Sequence, residues 1–234
     1  MKHLSSFFLG ILLCSLLPLY ADDIPMDAMR EFRNQHGQRI NASVVSVEGN
    51  QVTLRRTGDN LISLPIDSLN QRDQEFIQNW HIAYLIREFL RTEVSPRDNT
   101  QRFRDDPARE GQQIFSSYQL RMSNRNPLAI GRFKIIYKTY YLADDPHSNT
   151  TVKELKHERL ETEISGISGN STFLFSTQPL LIRDYRTSSP AHFVGTDRNT
   201  VNDELLGVKI IFQSGDFRPV VIKEPANLPD LLPQ

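Results

Sequence analysis

The chain has 234 residues, a formal net charge of −1 and a single cysteine. Near-neutral charge excludes a general attraction to nucleic acid or to anionic membrane, and one cysteine excludes a disulfide framework. In chain order, the first element is a leader. Lys2 and His3 make a basic start, Phe7 to Leu17 is apolar apart from Gly10, Cys14 and Ser15, and Ala21 is a small residue before Asp22-Asp23. This predicts a secretory signal peptide over 1–21, its apolar core short for a membrane span. Cys14, preceded by Leu13, is a poor lipoprotein site and leaves with the leader. About 210 residues then remain, enough for one large core or two modest ones. They enter an oxidising compartment without a thiol: periplasm, cell surface or medium.

Residues 27–91 read as one unit. Val44 and Val45, then Val52 and Leu54, then Leu61, Ile62 and Leu64 are short apolar runs. Glu48-Gly49-Asn50 and Thr57-Gly58-Asp59-Asn60 separate them with turn chemistry. Such a meander curls into a small barrel, and Pro65 stops its last strand. Asn70 and Asp73 mark a helix start. Phe76, Ile77, Trp80, Tyr84, Ile86, Phe89 and Leu90 recur at three- and four-residue steps, extending that helix over 71–91. Its first half would close the barrel, and its second half is apolar in several directions. That pattern fits an interdomain helix or a dimerisation surface.

The order of Arg30-x-Phe32, Gly37, Ala42, Val47, Val52-x-Leu54-x-Arg56, Leu64-Pro65, Leu69 and Asp73 through Ile77 resembles the Sla homology domain. This is an SH3-like module of endocytic adaptors that also occurs in secreted bacterial proteins. The chain departs from it where Asp59 stands at the hairpin glycine, shifted from Gly58. The resemblance implies a binding module. Eukaryotic relatives take Asn-Pro-Phe-x-Asp peptides, and a basic residue of the third strand, here Arg56, belongs to the binding face. It also implies adaptor activity, self-association, and cytoskeletal and ubiquitin binding, the last two at odds with export.

Residues 92–111 alternate charges of both signs, carry Pro96 and Pro107, and read as a polar linker. The arginines from Arg97 to Arg109 are offset by Asp98, Asp105, Asp106 and Glu110. Residues 112–224 read as an antiparallel β-sandwich of about seven strands, immunoglobulin-like in strand spacing alone. These begin near Tyr118, Phe133, Leu160, Phe173, Leu180, Leu206 and Val220. Pro225, Pro229 and Pro233 make 225–234 a proline-rich tail.

Catalytic patterns are absent. Gly166-Ile167-Ser168-Gly169 lacks the spacing of a nucleophile elbow. His36, His81, His147, His157 and His192 have no metal-ligand spacing, and Asp144-Asp145 before Pro146 reads as a turn rather than a calcium loop. Glu154, Glu158, Glu161 and Glu163 read as a solvated face.

The expectation is therefore a mainly β, two-domain exported protein that is not an enzyme and uses no cofactor or metal. An SH3-like barrel with its helix would precede the sandwich. It would bind a peptide or protein partner, possibly itself, through Arg56, with no nucleic acid and no membrane span after cleavage. One alternative is an envelope enzyme or carbohydrate-binding protein with its site on the sandwich loops. Another is a structural subunit of a surface assembly.

Overall fold

A computed structural model describes residues 23–105, 109–145, 152–187 and 199–228. The expected leader with Cys14, His147, His192 and the tail beyond 228 lie outside the described residues. Among those described, the protein is mainly β, with one α-helix and three antiparallel sheets.

The first sheet runs β1 (Arg30–Arg33), β2 (Arg39–Glu48), β3 (Gln51–Arg56) and β4 (Leu61–Pro65), in that order. The register shifts between Val44 and Ser46, where β2 carries an extra residue. That bulge bends the strand. It also lets Val44 and Val47, three apart in sequence, pair with core residues Leu54 and Val52. The β3–β4 turn places Gly58 at φ 89° and Asp59 at φ 61°. An aspartate tolerates the left-handed region, so the missing glycine at 59 leaves the hairpin intact.

After Pro65 a 3-10 turn, Ile66–Ser68, brings the chain back to β1. Asn34 bridges Leu69, the Gln35 N–H donates to the Ser68 carbonyl, and the Asn70 N–H donates to the Arg33 carbonyl. The sheet and the segment after it thus pack around Phe32, Val52, Leu54 and Ile77, all fully buried.

Helix α1 spans Gln71–Phe89, about 28 Å at 1.5 Å per residue. Asn70 caps it by accepting the Asp73 N–H at 2.9 Å, an interaction worth about 1 kcal/mol. No Gly or Pro interrupts it. Ile77, Trp80 and Ala83 pack into the core under the first sheet, whereas Ile82, Leu85, Ile86 and Phe89 pack into the second core. The Trp80 indole N–H donates to the Met26 carbonyl at 2.8 Å, tying the N-terminal segment to the helix.

Of the linker expected over 92–111, the described residues 92–105 and 109–111 are strand instead. β5 (Leu90–Asp105) follows the helix directly and pairs along its whole length with β6 (Arg109–Asn124). β5 is an edge strand, exposed through most of Arg97–Arg104. Its backbone is satisfied by β6 while its side chains face water, so it shows no apolar alternation. Pro96 and the charges suit an edge, where they discourage pairing with another chain.

The second sheet has the order β11 (Thr200–Asn202), β10 (Leu180–Thr187), β6, β5, with β9 (Thr172–Ser176) also on β6. The third has the order β13 (Val220–Glu224), β12 (Glu204–Gln213), β7 (Phe133–Ala143), β8 (Glu154–Ile164). Leu120, Met122, Ile135 and Ile210 are fully buried in the core that the two share. Each apolar run expected as a sandwich strand falls within β6, β7, β8, β9, β10, β12 or β13.

Candidate functional site

The first sheet and α1 draw together residues that carried the resemblance. The Arg30 Nη2 donates to Asp73 Oδ1 at 2.6 Å. Asp73 Oδ2 accepts the Arg33 backbone N–H at 2.6 Å and the Asn70 side-chain amide at 3.0 Å. Asp73 is 1% exposed and fully partnered, so it acts beyond its place in the helix cap: it fixes α1 to β1. The Arg30 guanidinium lies 3.9 Å from the centre of the Phe76 ring and 5.1 Å from that of Phe32. Burial lowers the pKa of Arg30, Asp73 opposes that shift, and Arg72 adds to it.

Beside this pair opens a cavity of about 660 Å³. Ile24, Met29 and Phe76 give it apolar walls, and Arg33 and Arg72 stand at its rim. Met29 is 46% exposed. Arg33 is engaged with Glu31 at 2.8 Å, and this hydrogen bond lowers the Glu31 pKa. Arg72 is exposed and forms no ion pair among the described residues.

Arg56 is exposed at the end of β3, its N–H donating to the Asn60 carbonyl at 2.9 Å. It does not line the cavity. Register relates the two: Arg30 stands opposite Ala42, and Ala42 stands opposite Arg56. The three share one face and one row, with Arg56 about 10 Å from Arg30 at ordinary strand spacing. Arg55 points to the other face, 4.0 Å from Asp59.

The other sequence candidates separate. Among the described residues no three His, Cys, Asp or Glu side chains gather as a metal-binding group. No helix among them is long and apolar enough to cross a membrane. Asp144 is buried and built into a structural latch. Its N–H donates to Asp203 Oδ1 at 2.9 Å, its Oδ2 accepts the Asn202 N–H at 3.1 Å, and its carbonyl accepts from Arg183 at 2.9 Å. Arg183 grips Asp203 with Nε at 2.7 Å and Nη2 at 2.9 Å, joining the second sheet to the third.

A second cavity of about 660 Å³ lies at the far end of the β5–β6 hairpin. The register sets Arg102, Gln112 and Asp184 in one row and Arg104, Glu110 and Arg186 in the next. Arg186 pairs with Glu110 at 2.9 Å, and Gln112 donates to Asp184 at 2.8 Å. Acids and arginines are interleaved here as they are in the sequence.

No protein-family model matches the chain, and no curated protein matches it.

Proposed function

We propose that the protein is an exported, non-enzymatic binding or scaffold protein of the bacterial envelope that recognises a peptide or partner protein through the barrel. The barrel is read as SH3-like, of the Sla homology type. The two-sheet body is read as immunoglobulin-like: β5-β6-β10 and β8-β7-β12-β13 follow the order of strands A-B-E and C′-C-F-G.

The observation that carries this reading is the open cavity walled by Ile24, Met29 and Phe76, with Arg56 in the same row as Arg30, two strands away. An aromatic side chain of an extended peptide enters the cavity. An acid two positions on lies about 7 Å further along, which the Arg56 side chain reaches across Ala42.

Titration of a labelled Asn-Pro-Phe-x-Asp peptide tests it. A charge-assisted hydrogen bond is worth about 1.5–3 kcal/mol, so Arg56→Ala weakens binding about ten- to a hundredfold, and Arg55→Ala leaves it unchanged. Sensitivity of Arg72→Ala instead moves the acid to the helix side of the cavity. Equal affinity for all variants and the parent removes the barrel as the binding face.

A further inference from the structure

Strand β5 pairs with β6 along Leu90–Asp105 and has no neighbour on its other side among the described residues. Hydrogen bonds fix which residues face that open side. The Arg125 N–H donates to the Phe89 carbonyl at 3.1 Å, and the Arg97 carbonyl accepts from the Ser117 hydroxyl at 3.3 Å. Odd-numbered residues therefore turn their backbone groups to β6, and by alternation the even-numbered ones turn theirs outward. Asp98, Thr100, Arg102 and Arg104 each direct an N–H and a carbonyl to the open side, and Pro96 a carbonyl alone. Residues 96–102 are all exposed.

Asp98, Thr100 and Arg102 have no side-chain partner among the described residues. On β8, an outer strand of the third sheet, the charges are instead paired within the strand: Lys156 with Glu154 at 3.2 Å and Arg159 with Glu161 at 3.3 Å. The odd-numbered neighbours on β5 are also engaged within the chain. Arg97 donates to Gln119 at 3.0 Å, and the Phe103 ring centre lies 6.1 Å from that of Tyr185. Charge on an edge discourages pairing with an arbitrary chain, but its order here is self-complementary. A two-fold axis at Thr100 sets Thr100 against itself, Asp98 against Arg102 and Pro96 against Arg104 of a second copy. These are the hydrogen-bonded positions of the new ladder, so the outward N–H groups meet carbonyls. Opposite charges and paired threonines are favourable cross-strand neighbours. An axis at Asp98 or Arg102 would bring like charges face to face, and one at Asn99 would leave Asp98 facing Thr100. An axis at Gln101 would set Asp98 against Arg104 and leave Arg102 facing Thr100.

We propose that β5 is a dimerisation edge: two copies of this chain join antiparallel through residues 96–104, with Asp98 of each meeting Arg102 of the other. The second sheets of the two copies become one continuous sheet, running β11-β10-β6-β5 and then β5-β6-β10-β11. Pro96 lies at the end of the new ladder, where its carbonyl accepts from Arg104 of the second copy and its missing N–H interrupts nothing further. The contact is isologous, so it closes at the dimer. It is short and polar, which makes it reversible. The barrel cavity takes no part in it.

Sedimentation equilibrium of the purified chain over a roughly thousandfold range of concentration tests it, since dimerisation follows mass action. The parent passes from monomer to dimer and stops there. Asp98→Arg and Arg102→Asp each weaken the dimer about tenfold or more, because two opposite-charge pairs become two like-charge pairs. Combined in one chain, the two reversals restore the dimer to within about threefold of the parent. Both side chains stand in water, so the folded monomer tolerates either change. Glu158→Arg, on the open edge of β8, leaves the dimer intact. Amide exchange gives a second readout: Asp98, Thr100, Arg102 and Arg104 exchange fast in dilute solution and become protected at high concentration. The proposal is overturned by a parent that stays monomeric, by a dimer indifferent to either single reversal, or by a double variant that stays apart. Loss of the dimer in Glu158→Arg also overturns it, by moving the contact to β8.

Discussion

The rings of Phe76 and Phe217 meet with their centres 4.9 Å apart, joining helix α1 to the loop between β12 and β13. Phe217 is 2% exposed and belongs to the core of the first sheet although its loop springs from the third sheet. Ile24 clamps that loop, donating its N–H to the Asp216 carbonyl at 2.8 Å and accepting the Arg218 N–H at 3.0 Å.

Phe217→Ala is therefore expected to cost about 3–5 kcal/mol, as for other large core truncations. Denaturant unfolding followed by Trp80 fluorescence and by far-ultraviolet dichroism checks it. The parent shows coincident transitions for the two probes. In the variant the Trp80 transition moves to lower denaturant.

Amide exchange across 92–105 distinguishes a paired strand from a linker. In an antiparallel edge strand alternate residues direct their N–H groups to the partner and the others to water. β5 is expected to show protection alternating residue by residue, fading toward Asp105. Uniformly fast exchange from Thr92 onward would return the segment to a polar linker.

Asp203→Asn breaks the latch between the second and third sheets. Burial raises the Asp203 pKa, but hydrogen bonds from Arg183 and from the Asp144 and Arg183 N–H groups outweigh it, leaving the net value lowered. A carboxylate depressed on folding contributes stability above its unfolded pKa of about 3.9, lost as pH falls through the folded value. The variant should lose about 2–3 kcal/mol at pH 7, discounted from buried-pair values because Arg183 is 36% exposed. Its stability should also depend less on acid below about pH 4.

His81 supplies a pH dependence nearer neutrality. Its Nδ1 is buried without a hydrogen-bond partner among the described residues, and burial lowers its pKa. Folding therefore favours the neutral ring. Its contribution is full above the unfolded pKa of about 6.5 and falls as pH drops through that value toward the folded one. Melting temperatures of the parent should decline over that window, and those of His81→Leu should decline less.

The four strands of the first sheet, their turns, the helix with its Asn70 cap and most strands of the second and third sheets were legible in the sequence. Each is signalled by apolar period or local turn chemistry. β5 was hidden because an edge strand wet on its exposed faces has no such period, and its charges imitate a linker. The partners of Asp73 and Asp203 were hidden for another reason: Arg30 is 43 residues from Asp73 and Arg183 is 20 from Asp203, so only tertiary closure pairs them. Arg56 was visible as a strand-end arginine, but its relation to the cavity depends on the register through Ala42.

Ile82 and Ala83 are neighbours on α1 yet lodge in different cores. One helix is thus embedded at both ends, as a beam is built into two walls. Tension applied between the first sheet and the third would find no slack to take up. The molecule would stretch as a single stiff spring, yielding at one force rather than in two steps.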